Sequence, residues 1–308
     1  ERFSMSEMVD RTLDAYFARR EFAQSPVKDK IGDSSEALSF GNQMTAAERR
    51  FEFGKNWKKY IERSFSQEKV EISKRHILTF LRRADLQGLT FLDIGCGSGL
   101  HSLAALQLGA AEVISFDYDK KSVEATNILY KYAGDPKNWK IMQGSVLDQQ
   151  FMASLPTADI VYSWGVLHHT GDVWQAVRNA AVPVKKDGLF YIALYSADVH
   201  KDPTPQFWLN VKQRYLAASV LEKRKMECWY IWRFQMGYKI SAFRRVLRDI
   251  IEYKKSRGMS YFTDIRDWLG GWPMEFCYDD DVKKFVTQEL GMELINIKTG
   301  EANTEFLF

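Results

Sequence analysis

Apolar positions along this chain fall into two rhythms. From Ser6 to about Leu86 they recur at helical spacing, with Phe51, Phe53, Trp57, Tyr60 and Ile61 near one face and Ile72, His76, Ile77, Phe80 and Leu81 near another. From Leu89 the period changes. Short apolar runs at Thr90–Ile94, Glu112–Phe116, Trp139–Met142, Ala158–Trp164 and Leu189–Tyr195 alternate with helical stretches at Leu100–Leu108, Lys120–Tyr132 and Asp172–Val184 and a short turn at Gln149–Ala153. Short, mainly apolar runs alternating with helices and bounded by Gly, Asp or Pro are what parallel α/β units require. Their alternation with helices predicts an α/β chain with a doubly wound, largely parallel sheet.

After Tyr195 the rhythm breaks for about eighty residues. Pro203 and Pro205 punctuate a loop, Phe207–Val220 and Lys225–Tyr253 read as helices, and the Gly- and Trp-rich Asp264–Phe276 reads as an ordered loop. A helix at Asp279–Leu290 and strands at Glu293–Lys298 and Glu305–Phe308 follow, giving about seven strands in all. Because strands return, the broken stretch is an insertion before the sixth strand. The expected organisation is an N-terminal helical cover (1–86), a core (87–195), a helical insertion or lid (196–278) and the end of the core (279–308).

Composition narrows the class. The chain has 308 residues, 45% hydrophobic and 27% charged, which is ordinary globular usage. No stretch approaches the roughly 18 uninterrupted apolar residues of a membrane span, and Glu1–Asp10 lacks the apolar centre of a signal peptide, so a cytoplasmic location is expected. Met5-Ser6-Glu7-Met8 reads as a natural start. Cys96, Cys228 and Cys277 lie far apart without C-x-x-C spacing, which predicts free thiols and no metal. The net charge is +3, yet Ser196–Tyr278 has fifteen Lys and Arg against nine Asp and Glu, an excess suited to an acidic ligand or to solvated helix faces.

The most informative segment is Phe91-Leu92-Asp93-Ile94-Gly95-Cys96-Gly97-Ser98-Gly99, an apolar strand that runs through three glycines into a helix. Glycines accept positive φ and let backbone approach a ligand closely, and the helix start offers free N–H groups. A nucleotide-like ligand is implied. The dinucleotide fingerprint is G-x-G-x-x-G with a pyrophosphate on the helix N-terminus. Here the third glycine comes one residue early and Asp93 stands two residues before the first. A carboxylate would repel a pyrophosphate, whereas S-adenosylmethionine (SAM) has no phosphate and presents an ammonium and a sulfonium. Asp117 ends the next run and can accept both hydroxyls of a ribose, while Asp119 suits a helix cap at Lys120.

Leu92–Gly99, Asp117, Gly144–Asp148 and Ala158–Leu194 together resemble the class I SAM-dependent methyltransferases, especially the small-molecule group typified by ubiquinone and menaquinone biosynthesis methylases. The resemblance implies a Rossmann-like sheet whose last strand is antiparallel. It places Asp93, Gly95, Gly97 and Gly99 at the methionine moiety, Asp117 at the ribose, and Ser145 and Val146 beside adenine; Cys96, Tyr118 and, at the end of its apolar run, Trp164 are further candidates to bind the donor. Many relatives carry an acidic residue where this chain has Ser145. Phe53-Gly54-x-Asn56-Trp57 and Asp264–Phe276 resemble segments of a bacterial subset of the family.

Methyl transfer from SAM, releasing S-adenosylhomocysteine, is an in-line displacement that needs a positioned nucleophile and excluded water, and a base only for some acceptors. His168, His169 and Glu275 are the catalytic candidates, against the plainer alternative that they pack, cap or bond backbone. Trp57, Tyr195, Asp267, Trp268 and Trp272 are candidates to wall a small-molecule acceptor, with Trp268–Pro273 as a lid, and Arg257, Arg244 and Arg245 to bind an acidic one. Without a recognisable RNA-binding module, a nucleic-acid acceptor ranks second, and a non-catalytic SAM-binding protein third.

Overall fold

Strand order follows from which apolar runs can be covered on both faces. The computed structural model describes residues 50–256, 261–300 and 302–308. Its seven-stranded sheet runs in the order β3-β2-β1-β4-β5-β7-β6. The strands are β1 (Thr90–Ile94), β2 (Glu112–Asp117), β3 (Trp139–Gln143), β4 (Ala158–Trp164), β5 (Val184–Tyr195), β6 (Asn296–Thr299) and β7 (Asn303–Leu307). β1 to β5 pair in parallel and β7 lies antiparallel to β5 and β6, as expected for the last strand. The sheet is thus mixed, doubly wound and Rossmann-like.

Alternate residues of each strand feed two cores. Leu92, Ile94, Ile114, Phe116, Val161 and Ile192 pack on one face with Val173, Val177 and Val282. Phe91, Val113, Ile160, Tyr162 and Tyr191 pack on the other with Ile77, Phe80 and Leu103. That period of two, apolar on both sides, is why the strands read as continuous apolar runs. The helices of the second face are α1 (Phe53–Ser64), α2 (Gln67–Leu81), α3 (Leu100–Gln107) and α4 (Lys120–Tyr132). α5 (Gln149–Ser154) and α6 (Val173–Ala181) follow β3 and β4.

Residues 50–217 and 253–308 make one compact unit that contains the whole sheet. It also holds α7 (Pro205–Ala217), α10 (Tyr261–Gly270) and α11 (Asp279–Lys284). Residues 218–252 belong to a second unit. There α8 (Val220–Tyr230) starts in a capping box between Ser219 and Glu222, and the helix expected over Lys225–Tyr253 is interrupted. A π-turn at Ile231–Gln235 is followed by Gly237 and Tyr238, both at positive φ, before α9 (Phe243–Ser256) begins. No α-helix runs through such backbone. The loop expected at Asp264–Phe276 is also corrected, because Tyr261–Gly270 is helical. Tyr261, Ile265 and Leu269 bury one face of that helix at four-residue spacing, a pattern masked in the sequence by the Gly270-Gly271 pair that ends it. Trp268 is therefore a helical residue. Among the described residues no helix is long and apolar enough to cross a membrane. The expected helical segment before Arg50, and Arg257, lie outside the described residues.

Candidate functional site

β1 delivers its last residues to the C-terminal edge of the sheet, where the chain turns into α3. Gly95, Gly97 and Gly99 all have positive φ, and Gly99 is the residue that starts the helix. Two of these glycines are also required by space. A Cβ on Gly95 would stand 2.4 Å from Val166, and one on Gly99 2.7 Å from Thr126. The amides of Gly95 and Cys96 both donate to the Phe116 carbonyl, tying the loop to β2. Cys96 is buried, its Sγ 3.3 Å from Thr126 Oγ1.

Two carboxylates face this loop. Asp93 is buried and accepts the hydroxyl of Ser102 in the first turn of α3. Burial pushes its carboxyl up to about 7, against the Ser102 hydrogen bonds and helped by the neighbouring Asp117. Asp117, at the tip of β2, accepts from the amides of Gly97 (3.0 Å) and Asp119 (2.8 Å), and burial raises it to about 6. A buried and a half-buried acid with no cationic partner described beside them have the chemistry of a cation site. Two carboxylates beside a glycine turn fit the ammonium, sulfonium and ribose hydroxyls of SAM. Asp119 caps α4 through Lys121 N.

A strap crosses the same edge. The Gly54 amide donates to Asp119 Oδ2 (2.9 Å), and the Trp57 indole lies so close over Gly97 that an added Cβ would meet Nε1 at 3.1 Å. The Arg50 guanidinium sits 4.6 Å from the exposed Tyr118 ring and donates to the carbonyls of His169 (2.9 Å) and Thr170 (3.0 Å). Phe51 N donates to Trp272 O, and Phe53 packs on His169. Trp57, expected at the acceptor, thus lies at the glycine loop. Residues 50–57 span from the end of β2 to the segment after β4.

The two histidines after β4 have fixed and different tautomers. His169 Nδ1 stands 2.7 Å from the Pro273 carbonyl, which can only accept, so Nδ1 carries the proton and Nε2 is an open base. His168 Nδ1 accepts the Tyr195 amide, so its proton is on Nε2, which has no hydrogen-bond partner among the described residues. Burial lowers both, His169 to about 3, and keeps the rings neutral. Tyr195 packs against His168, His169, Trp268 and Phe276. The structure thus gathers Tyr195, Trp268 and both histidines into one aromatic cluster at the end of β5.

Under that cluster lies a charge with no counterpart among the expected residues. Lys212 of α7 is fully buried, its amine 4.4 Å from the Trp268 ring centre and donating to the Trp268 carbonyl. Burial lowers it to about 7, and raises Asp267, which accepts from Asn56 of the strap, to about 7. Lys212 carried no signal, since it sits in a polar stretch and only the packing of α7 on α10 buries it. Arg50 was equally silent, because its partners are more than a hundred residues away, and Asn56 stood out only as part of the Phe53–Trp57 segment, with no sign of its bond to Asp267.

The remaining expected residues scatter. Glu275 Oε2 accepts from Val173 N at the start of α6, and Trp272 contributes its carbonyl to the strap. Ser145 Oγ accepts from Leu147 N, and Val146 is buried in the core below β3. Trp164, at the end of β4, turns its indole N–H to Glu305 Oε2 (3.3 Å), which also meets Tyr191 and, at 3.1 Å, His76. Arg244 and Arg245 lie in the second unit.

With this geometry in place, residues 92–192 match the family described as a methyltransferase domain. A ubiquinone biosynthesis O-methyltransferase from Rhizobium rhizogenes is 33% identical over 108 residues, 35% of this chain and 42% of that protein. A ribosomal protein L11 methyltransferase from Colwellia psychrerythraea is 53% identical over 49 residues, 16% of this chain and 17% of that one. The solved structure of PKMT2 from Rickettsia typhi in complex with AdoHcy is 13% identical, with a TM-score of 0.51, covering 72% of this chain and 48% of that chain. At that identity the likeness establishes the fold. The chain spans less than half the length of each of these relatives. Residues 92–192, which hold the glycine loop from Leu92 on and most of β1 to β5, thus resemble a methyltransferase domain over about a third of the chain.

Proposed function

We propose that this protein transfers the methyl group of SAM to a small-molecule acceptor and releases S-adenosylhomocysteine. The observation that carries the reading is the pair of acids, buried Asp93 and half-buried Asp117, beside a turn whose three glycines all have positive φ. SAM supplies a methyl carbon already activated by its sulfonium. The chain has to bind, orient and exclude water. Asp93 faces the cationic methionine end, Asp117 accepts the ribose hydroxyls, Tyr118 lies beyond it, and the strap with Trp57 covers the loop. Ser145 and Val146 follow β3, where adenine would lie.

The acceptor belongs at the ends of β4 and β5, between Trp164 and the cluster of Tyr195, His168, His169 and Trp268. His169 offers an unprotonated Nε2, so it is the one of the two histidines suited to take a proton from a hydroxyl acceptor, and its burial makes it a weak base. Glu275 is committed to the start of α6 and Asp267 to Asn56, which suits positioning more than proton transfer. The strap, α7 and α10, which pack on the aromatic cluster and on one another through Phe53, Asn56, Lys212 and Trp268, favour a small acceptor. So does the longest of the sequence matches above, to a protein named for ubiquinone biosynthesis.

Incubation with SAM and fractionated metabolite, RNA and protein pools should give an enzyme-dependent mass increase of about 14 Da, one methyl group for one hydrogen, in the metabolite pool. Methylation confined to RNA or protein would overturn the acceptor assignment, and no turnover of SAM with any pool would overturn the activity. Asp117→Ala is expected to weaken SAM binding by about 1–3 kcal/mol through lost ribose hydrogen bonds. Unchanged affinity by calorimetry would refute that role.

A further inference from the structure

The polar atoms behind Asp93 form a single directed chain. Trp139 Nε1 of β3 donates to Ser115 Oγ of β2 (2.8 Å), Ser115 donates to Ser102 Oγ of α3 (2.8 Å), and Ser102 donates to Asp93 Oδ2 of β1. Every member is buried, and Ser102 and Ser115 have no exposed surface. An ionised carboxylate can only accept, so Ser102 donates to Asp93 and Ser115 to Ser102, and the Trp139 N–H, which can only donate, closes the far end of the chain. Each hydroxyl receives from behind and gives forward, so the proton positions all point at the carboxylate. The Ser102 amide, in the first turn of α3, adds a second donor. Polar side chains at 102 and 115 are otherwise unexplained. Both sit where Ala would fill the same space between α3 and β2, and a buried hydroxyl is retained at a cost unless it bonds something.

We propose that Trp139, Ser115 and Ser102 are positioning residues for SAM, a donor relay that orients the Asp93 carboxylate and holds it ionised for the cationic end of the ligand. This rests on the reading that the glycine loop binds SAM. Chained hydrogen bonds in a low-dielectric interior polarise one another, so the far end contributes to the last bond. The charge on Asp93 is opposed by burial and by Asp117 on β2. Cys96 in the loop and Tyr162 on β4 are the other titratable groups that interact with it, both held neutral by burial. Because the carboxyl of Asp93 is raised to about 7, its charged form is fully present only above that pH. SAM affinity should therefore fall as pH drops through the neutral range, and weakening the relay should move that fall to higher pH.

The test is the pH profile of the SAM dissociation constant, from pH 5.5 to 9, in the full chain and in Ser102→Ala, Ser115→Ala and Trp139→Phe, with thermal unfolding of each. The expected result is a rising midpoint in the order Trp139→Phe, Ser115→Ala, Ser102→Ala, with a severalfold loss of affinity at pH 7 that disappears by pH 9. Trp139→Phe keeps the ring, so it guards against a folding failure at the serines. A loss that is equal at pH 7 and pH 9 would mean the residues only pack and would overturn the relay. So would a shifted midpoint in Ser102→Ala alone, since the chain would then end at Ser102. Failure of the unaltered protein to bind SAM at any pH would instead overturn the underlying SAM assignment.

Discussion

Asp93→Asn is expected to weaken SAM binding by about 2–4 kcal/mol, roughly 30-fold to 1,000-fold in Kd, while leaving the melting temperature nearly unchanged. Removing one charge of a desolvated pair leaves the other unpaired, and that is where the binding loss arises. Stability behaves differently because burial already favours the neutral acid in the free protein, with the carboxyl raised to about 7. An amide of the same shape replaces a group that is largely protonated below that pH. The contrast between the two proteins should therefore be largest at pH 8 and shrink towards pH 6, as Asp93 takes up its own proton. Titration calorimetry at both pH values checks the binding, and a thermal melt checks the fold. An unchanged Kd at pH 8 would remove Asp93 from the ligand site.

Gly99→Val is expected to destabilise the fold by about 2–5 kcal/mol. Left-handed backbone costs an L-residue about 1–2 kcal/mol, and overpacking a filled site about 1–3 kcal/mol more. Gly99 has φ +77°, and an added Cβ would lie 2.7 Å from Thr126 Cγ2 and 3.0 Å from the Thr126 Cα, which is backbone and cannot swing away. Gly134→Ala is the internal comparison. Its φ is +83° but nothing lies within 4 Å of the added carbon, so only the backbone cost of about 1–2 kcal/mol remains. Urea unfolding of the two variants separates strain from crowding. Equal midpoints would show that α4 yields to the new side chain.

How much of this was legible beforehand differs by segment. The strands β1 to β4 are readable nearly to the residue because most of their positions on both faces are apolar and buried, with Gly, Asp or Pro near the ends. β5 reaches back to Val184, further than its apolar run, because the polar Lys185-Lys186-Asp187 stretch falls within the strand. The insertion was read least well. A long amphipathic pattern from Lys225 gave no sign that Gly237 and Tyr238 would adopt left-handed backbone, and the glycines after Leu269 hid a helix whose buried side has only one residue per turn.

The glycine loop, Asp93 and Asp117 were determined by the sequence itself, since positive φ at Gly95, Gly97 and Gly99 and a carboxylate at each strand tip are local requirements. The tertiary structure alone decided what surrounds them. Lys212 against Trp268, Arg50 against Tyr118 and His169, Trp57 over Gly97, and Trp139 at the head of the relay are contacts between residues far apart in the chain. Local propensity and spacing report on neighbours within a few residues. Burial of a lysine, the tautomer of a histidine and the direction of a hydrogen-bond chain exist only once sheet and helices have packed.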